Sequence, residues 1–236
     1  MDMQIFQLRK TLAVVLGLAS AFAAMANDDD DDNDKWAAAR YEVKITNLTR
    51  GQQFTPILAT NHKPSVRLFE VGQPASPELA TLAEEGNTAP LAAALSVNVD
   101  VGSVVTGTGL TNPGASTTLI VQGIRGFTRL SVAAMLIPTN DAFFAVNSVK
   151  LPRGDDVLNM TVPAYDAGSE RNDELCASIP GPNFVECGGS GGGGAPAGGE
   201  EGFVHIHAGM HGIGSFKAAD RDWRNPVARI TVRRLP

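Results

Sequence analysis

Short runs of β-branched and aromatic residues, separated by turn-forming residues, recur along most of this chain and restrict it to folds built from β-strands. The clearest run is residues 41–47, in which apolar and polar side chains alternate as they do on a half-buried strand. Gly, Pro, Asn and Asp cluster between the runs, which favours antiparallel strands over parallel βαβ units. The sequence therefore predicts an all-β antiparallel sandwich of about eight to ten strands.

Further strands are predicted along the rest of the chain, together with one or two short helices. The predicted strands lie at 55–60, 65–69, 97–105, 117–122, 129–137, 142–149, 157–162, 203–207 and 227–233. Ser76, Pro77 and Glu78 supply a cap residue, a first-turn proline and an early acid, so they predict the start of a helix that Gly86 can end. A second short helix is predicted over residues 89–95.

The first 26 residues have the pattern of a secretory signal peptide. Arg9 and Lys10 precede a run of small and apolar residues, and residues 24–26 form an A-x-A cleavage site. The apolar run is too short to span a bilayer, although an uncleaved anchor is the alternative interpretation. No later segment has the length of a membrane span. We therefore expect a periplasmic or secreted protein that begins near Asn27 and has no transmembrane segment after cleavage.

The exported part of the chain is predicted to be one domain with a disordered acidic leader. Residues 27–39 contain a run of acids that favours a solvated leader, and residues 40–236 form the predicted β-sandwich domain. The Gly-rich segment 187–201 is predicted to be a surface loop within that domain, because a strand pattern resumes after it. A formal net charge of −6 at pH 7 argues against nucleic acid as a partner.

Cys176 and Cys187 are the two cysteines of the chain. Because the signal peptide directs the chain to an oxidising compartment, a disulfide between them is the first expectation. A metal site or a redox pair fits less well, because the spacing is not C-x-x-C and no further cysteine is present.

Three acids lie at turns that neighbouring strands can bring together. Asp141 stands at the entry to a predicted strand, and Asp166 and Glu170 stand in a turn after another strand. Carboxylates, backbone carbonyls and water can satisfy the coordination that calcium requires. Ordinary turn chemistry explains the same residues, because Asp is common wherever a chain reverses, and spacing alone favours that explanation.

Three of the four histidines, His205, His207 and His211, fall within one short segment. On a strand, His205 and His207 share a face, and His211 follows in a glycine-rich turn that can fold back towards them. Three imidazoles can bind zinc or copper, but the alternative is that they bond to nearby loops or face solvent. No nucleophile motif is present, so we expect a binding protein rather than an enzyme, with a copper- or zinc-binding protein or a metal-dependent hydrolase as the alternative.

Four stretches of the chain are similar to one known family. These are YEVKITNLTRGQQFTPILATNHKPSVRLFEVG from Tyr41, NDAFFAVNSV from Asn140, PAYDAGSERNDELC from Pro163 and DWRNPVARITVRR from Asp222. Together they resemble the spondin domain, the N-terminal module of the F-spondin and mindin type, which also occurs in bacterial exported proteins. The resemblance extends from Tyr41 to Arg234, and its most specific motif is YDAG.

The resemblance implies a C2-like antiparallel β-sandwich that binds calcium at loops on one end. The calcium-binding acids of the family fall on Asp141, Asp166 and Glu170, the last of which is Asp in the animal domains. It also implies adhesion or recognition outside the cell, with an unidentified extracellular or envelope protein or glycan as partner. The Gly-rich segment and the His-rich strand depart from the animal pattern.

Overall fold

The computed structural model describes residues 39–181, 184–189 and 191–236. The predicted signal peptide lies outside these residues, as does the predicted acidic leader except for Ala39. Ala39 is buried, and its carbonyl oxygen accepts a hydrogen bond from the Gly123 N–H at 2.6 Å. The ordered fold therefore already includes Ala39.

Eleven strands and a few short helices make up the described part of the chain. The strands are β1 (Arg40–Asn47), β2 (Gln53–Phe54), β3 (Leu58–His62), β4 (Val101–Thr106), β5 (Ser116–Gln122), β6 (Arg129–Ile137), β7 (Ala142–Lys150), β8 (Val157–Val162), β9 (Ala164–Asp166), β10 (His205–Ile206) and β11 (Ala228–Leu235). The α-helices are α1 (Pro77–Glu85), α2 (Ala89–Ser96) and α3 (Ala218–Arg221), and Val185–Cys187 forms a 3-10 helix.

Two antiparallel sheets pack face to face. The smaller sheet has the order β5-β1-β11-β8, and the larger has the order β10-β9-β7-β6-β3-β4 with β2 also paired to β6. Apolar and polar side chains alternate on β1 because one face of the strand is buried, as the sequence predicts. Tyr41, Val43 and Ile45 on that face are fully buried against the opposite sheet. The predicted all-β sandwich is confirmed.

The larger sheet is covered on its outer face as well. Leu79 and Leu82 of α1 and Leu91 of α2 form a second apolar cluster with Phe143 of β7 and Ala133 of β6. Both faces of β6 and β7 are thus buried, which explains why these strands are almost continuously apolar rather than alternating.

Several predicted elements are confirmed. The strand at 129–137 and the strand at 157–162 have the predicted bounds, and α2 begins at the predicted residue. The Ser76 hydroxyl accepts a hydrogen bond from the Leu79 N–H, and Gly86 ends α1 in the left-handed conformation. Local capping chemistry therefore fixes the ends of α1.

Two local predictions were wrong. Residues 65–69 are not a strand, because the side chain of Asn147 binds their backbone in place of a neighbouring strand: its Oδ1 accepts from the Leu68 N–H and its amide donates to the Phe69 carbonyl. The predicted turn at 165–170 in fact begins with a strand, β9, which lies between β7 and β10. Asp166 is consequently a strand residue.

The Gly-rich segment packs through its backbone. The Gly192 N–H donates to the Ile179 carbonyl at 2.7 Å, and a Cβ atom on Gly192 would lie only 1.7 Å from the Ala177 carbonyl oxygen. Glycine is therefore required at this position, because any side chain would collide with the backbone of the preceding segment. The Gly-rich loop therefore packs along residues 177–181, and the disulfide at Cys187 joins its base to the fold.

The predicted disulfide between Cys176 and Cys187 is confirmed, with a Cα–Cα distance of 5.4 Å. We expect replacement of both cysteines by serine to lower the free energy of unfolding by about 2–3 kcal/mol, because the closed loop restricts the unfolded chain. Urea denaturation of the double variant measures this loss, and the reduced wild-type protein should show the same loss. A difference below about 0.5 kcal/mol, within the range of neutral surface substitutions, would contradict the prediction.

None of the helices in the described ranges is long and apolar enough to cross a membrane.

Candidate metal centre

One end of the larger sheet brings the predicted acids and histidines to the same place. Asp166 is the last residue of β9, and the strand register pairs it with Ala142 of β7 on one side and with His205 of β10 on the other. The Ala167 N–H donates to the Asp141 carbonyl at 3.2 Å, which holds the start of β7 against the end of β9. Asp141 and Asp166 are thus neighbours at this loop end.

Asp141 is completely buried, and its two carboxylate oxygens have different surroundings. Oδ2 accepts hydrogen bonds from the Ser169 N–H at 2.8 Å, the Ser169 hydroxyl at 3.2 Å and the Glu170 N–H at 3.0 Å. Oδ1 is buried and has no hydrogen-bond partner. Burial, and after it the charge of Asp166, raises the pKa of Asp141 to about 8.

Asp166 is also buried, with each oxygen held by one donor. Oδ1 accepts from the Gly168 N–H at 2.7 Å, and Oδ2 accepts from the Asn172 amide at 2.7 Å. Burial raises the pKa of Asp166 above its ordinary value, while the hydrogen bonds from Asn172 and Gly168 oppose that rise. Both oxygens retain a free lone pair, because an ionised carboxylate can accept about four hydrogen bonds.

Gly168 makes this turn possible. Its φ angle is +65°, a left-handed conformation, and a Cβ atom there would lie 2.4 Å from the Phe203 carbonyl oxygen. The Gly202 N–H also donates to the Gly168 carbonyl at 2.8 Å. A glycine after Asp166 therefore lets the segment before β10 approach the acidic turn closely.

The pair formed by Asp141 and Asp166 has the properties of a cation site. Two desolvated carboxyl groups lie together and repel each other when both are ionised, and one oxygen, Asp141 Oδ1, has no partner among the described residues. A divalent cation would remove the repulsion and supply the missing partner, which no neutral donor in the described residues does. An all-oxygen pair of this kind fits calcium.

The Glu170 carboxylate points elsewhere. Its backbone N–H contacts Asp141, but its Oε1 accepts from the Ala195 N–H at 3.0 Å and its Oε2 is buried without a hydrogen-bond partner. Burial raises the pKa of Glu170 to about 7, although the hydrogen bond from the Ala195 N–H lowers it in part. The structure therefore brings Asp141 and Asp166 together and directs the Glu170 side chain towards the Gly-rich segment.

Two histidines flank Asp166. His205 Nδ1 lies 3.8 Å from Asp166 Oδ1, and His207 Nε2 lies 3.6 Å from Asp166 Oδ2. His207 packs against Trp223 with 4.9 Å between ring centroids, and its Nδ1 accepts a hydrogen bond from the Gly209 N–H at 3.0 Å. Burial lowers the pKa of His207 to about 3, so the ring is neutral. Because Nδ1 accepts, the proton resides on Nε2, which faces Asp166.

The three histidines do not form the predicted common ligand set. His211 is exposed, and its backbone N–H donates to Glu174. His207 cannot offer the Nε2 lone pair while its Nδ1 accepts a hydrogen bond. Among the described residues, one ligand atom each from Asp166, Glu201 and His205 lies within 4.8 Å of the others, and this is the three-residue group that the geometry supports.

Sequence reasoning missed three polar residues of this region. Glu201 joins the group around Asp166, and the Asn172 amide contacts Asp166 Oδ2 at 2.7 Å and Glu201 Oε1 at 3.4 Å. Glu174 is buried and accepts three backbone hydrogen bonds from residues 211–213. An available signal for Glu201 was its position, since it is an acid directly between the Gly-rich segment and the His-rich strand.

Comparison with known proteins identifies one family. The family model Spondin_N matches residues 33–174, more than half of the chain. The matched segment includes Asp141, Asp166 and Glu170, and it ends before the disulfide and before His205, His207 and His211. The comparison with curated proteins gave no match.

Proposed function

Because the chain belongs to the Spondin_N family, we propose that it is an exported recognition module whose loop end is ordered by a calcium ion held between Asp141 and Asp166. The family is of the extracellular recognition and adhesion type, and the disulfide agrees with an oxidising compartment. The observation that carries the calcium proposal is the buried, unpartnered Oδ1 of Asp141 beside a second desolvated carboxylate.

The proposed role of calcium is to order the loops at this end of the sandwich. Asp141 already binds the backbone of Ser169 and Glu170, and Asp166 binds that of Gly168. An ion between the two carboxylates would therefore fix both ends of the acidic turn relative to β7. We propose that the ordered loops bind an extracellular or envelope protein or a glycan.

The proposed activity is binding rather than catalysis. Around Asp141 and Asp166 the site offers oxygen ligands and backbone donors, and the Ser169 hydroxyl donates to Asp141 rather than to an imidazole. His207 contacts Asp166 and Trp223, and its ring faces the carboxylate rather than a nucleophile.

Calcium is expected to raise the melting temperature of the metal-free protein, and Asp166→Ala is expected to remove that rise. Calcium binds only the folded site, so saturation at 100 times the dissociation constant would stabilise the fold by about 2.7 kcal/mol. Thermal unfolding with and without calcium measures the effect. Asp100→Asn is the matched control, because Asp100 is a surface acid paired with Lys63 and should leave the rise unchanged.

The absence of a calcium effect in the wild-type protein would overturn the proposed site. An equal calcium effect in the Asp166→Ala variant would place the ion elsewhere in the chain, for example on the acidic run that starts at Asp28.

A further inference from the structure

A second group of ligands lies where β9 pairs with β10, on the opposite edge of β9 from β7. It consists of Asp166 at the end of β9, His205 at the start of β10 and Glu201 at the end of the Gly-rich segment. One ligand atom of each lies within 4.8 Å of the others. Asp166 contributes to both groups, because β9 is the strand between β7 and β10.

The distances suit a small transition-metal ion. Ligands that each bind zinc at about 2.1 Å are at most about 4.2 Å apart. His205 Nδ1 and Asp166 Oδ1, at 3.8 Å, already satisfy that limit. Nδ1 also lies 3.3 Å from the Phe203 carbonyl oxygen, so the ion would take the place of that contact once Nδ1 has released its proton. Glu201 is exposed, so its side chain can shift the remaining few tenths of an ångström without disturbing the core.

The group formed by Asp166, Glu201 and His205 differs in its ligand atoms from the pair formed by Asp141 and Asp166. Calcium takes oxygen ligands, whereas one imidazole with two carboxylates is a set that zinc accepts. His205 has 32% of its side chain exposed and Glu201 is exposed, so the ion would keep positions open to solvent. An open position can take water or a side chain of a partner.

A buried and unpartnered side chain points into the group. The side chain of His207 is 6% exposed, and its Nε2 has no hydrogen-bond partner while lying 3.6 Å from Asp166 Oδ2. Because its Nδ1 accepts from Gly209, the Nε2–H is a donor directed at a carboxylate oxygen. Asn172 supports the same oxygen and also reaches Glu201. Such donors commonly orient carboxylates that bind a metal.

We propose that Asp166, Glu201 and His205 bind a divalent transition-metal ion of the zinc class, next to the calcium position and sharing Asp166 with it. His207 and Asn172 are positioning residues that orient the ligands. The bound ion would join the end of the Gly-rich segment to β9 and β10. The histidine prediction made from the sequence is thereby replaced, because one histidine binds, one orients and His211 stays outside.

Calorimetric titration of the metal-free, tag-free protein with zinc tests the assignment. We expect one zinc ion per chain, with affinity reduced roughly 10- to 100-fold or more in Glu201→Gln and in His205→Ala. Glu200→Gln and His211→Ala are matched controls, because each changes a neighbouring acid or imidazole outside the group, and both should bind zinc like the wild type. Thermal unfolding of every variant in metal-free buffer shows whether the fold is retained.

Calcium titrations of the same variants separate this proposal from the proposed function. Asp141→Asn should lose calcium and keep zinc, Glu201→Gln should bind zinc more weakly and keep calcium, and Asp166→Asn should lose calcium and bind zinc more weakly. Zinc affinity that is unchanged in both Glu201→Gln and His205→Ala would overturn the zinc site. The zinc site would also be overturned if the zinc affinity fell as much in the controls Glu200→Gln and His211→Ala as in Glu201→Gln and His205→Ala. Failure of calcium binding with zinc binding intact would overturn only the calcium proposal.

Discussion

In calcium-free buffer at pH 8, Asp141→Asn is expected to be more stable than the wild-type protein. Asp141 is fully buried, and its Oδ1 has no hydrogen-bond partner beside the carboxylate of Asp166. An asparagine keeps an oxygen for the donors of Ser169 and Glu170, and its amide can donate towards Asp166. The substitution therefore removes a like-charge repulsion without removing the hydrogen bonds that hold the turn.

The gain depends on pH, and its direction follows from the pKa of Asp141. Burial raises this pKa from 3.8 to about 8, so between these values the folded protein holds a proton that the unfolded chain releases. The stability of the metal-free wild type therefore falls as pH rises from about 4 to 8, and the variant escapes that loss. We expect a difference on the order of 3 kcal/mol at pH 8 and little difference near pH 4.

Calcium should reverse the order of stability. The wild-type protein gains the binding free energy of the ion, whereas the variant lacks one of the two carboxylates that hold it. Thermal unfolding at pH 4 and pH 8, with EDTA or with calcium, measures all four conditions. A variant less stable than the wild type in EDTA at pH 8 would show that the Asp141 charge is satisfied in the metal-free fold, contrary to this account.

Glu174→Ala is expected to destabilise the fold by about 4 kcal/mol. The carboxylate of Glu174 accepts the backbone N–H groups of His211, Gly212 and Ile213 at 2.5, 2.6 and 2.9 Å. Hydrogen bonds to a charged group contribute about 1.5–3 kcal/mol each, and hydration of the exposed donors offsets part of the loss. The same side chain is 4% exposed, so its removal also leaves a gap beneath the turn.

Urea denaturation measures the total effect, and hydrogen exchange at residues 211–213 locates it. Glu174→Gln is the matched control, because it keeps the length and one acceptor oxygen and should lose about half as much free energy. A Glu174→Ala variant within about 0.5 kcal/mol of the wild type, with unchanged exchange at these amides, would refute the role given to Glu174.

The sequence predicts the regular parts of this fold well, because local signals agree with the packing there. The β6 strand has the predicted bounds because it is long, apolar and β-branched, and α1 has its predicted ends because Ser76 and Gly86 cap it. β9 was missed because a three-residue strand carries too short a pattern and Gly168 follows two residues after its end. Residues 65–69 were misassigned because the side chain that binds their backbone, Asn147, lies far away in the sequence.

The candidate site was predictable only in part, because several of its contacts join residues that lie far apart in the sequence. Asp141 and Asp166 meet because β7 pairs with β9. The sequence predicted that loops of neighbouring strands could bring these acids together, but it did not predict β9. The direction of the Glu170 carboxylate depends on the Ala195 N–H, which belongs to the low-complexity Gly-rich segment. Glu201 joins Asp166 because the segment before β10 lies against the acidic turn, where the Gly202 N–H donates to the Gly168 carbonyl, and periodicity does not predict this contact.

Calorimetric titration of calcium into the metal-free protein tests the central claim most directly, since it measures whether an ion binds between Asp141 and Asp166. The account predicts one calcium ion per chain for the wild type and for the surface variant Asp100→Asn, and no measurable specific binding for Asp141→Asn. Absence of calcium binding by the wild type, or undiminished binding by Asp141→Asn, would contradict it.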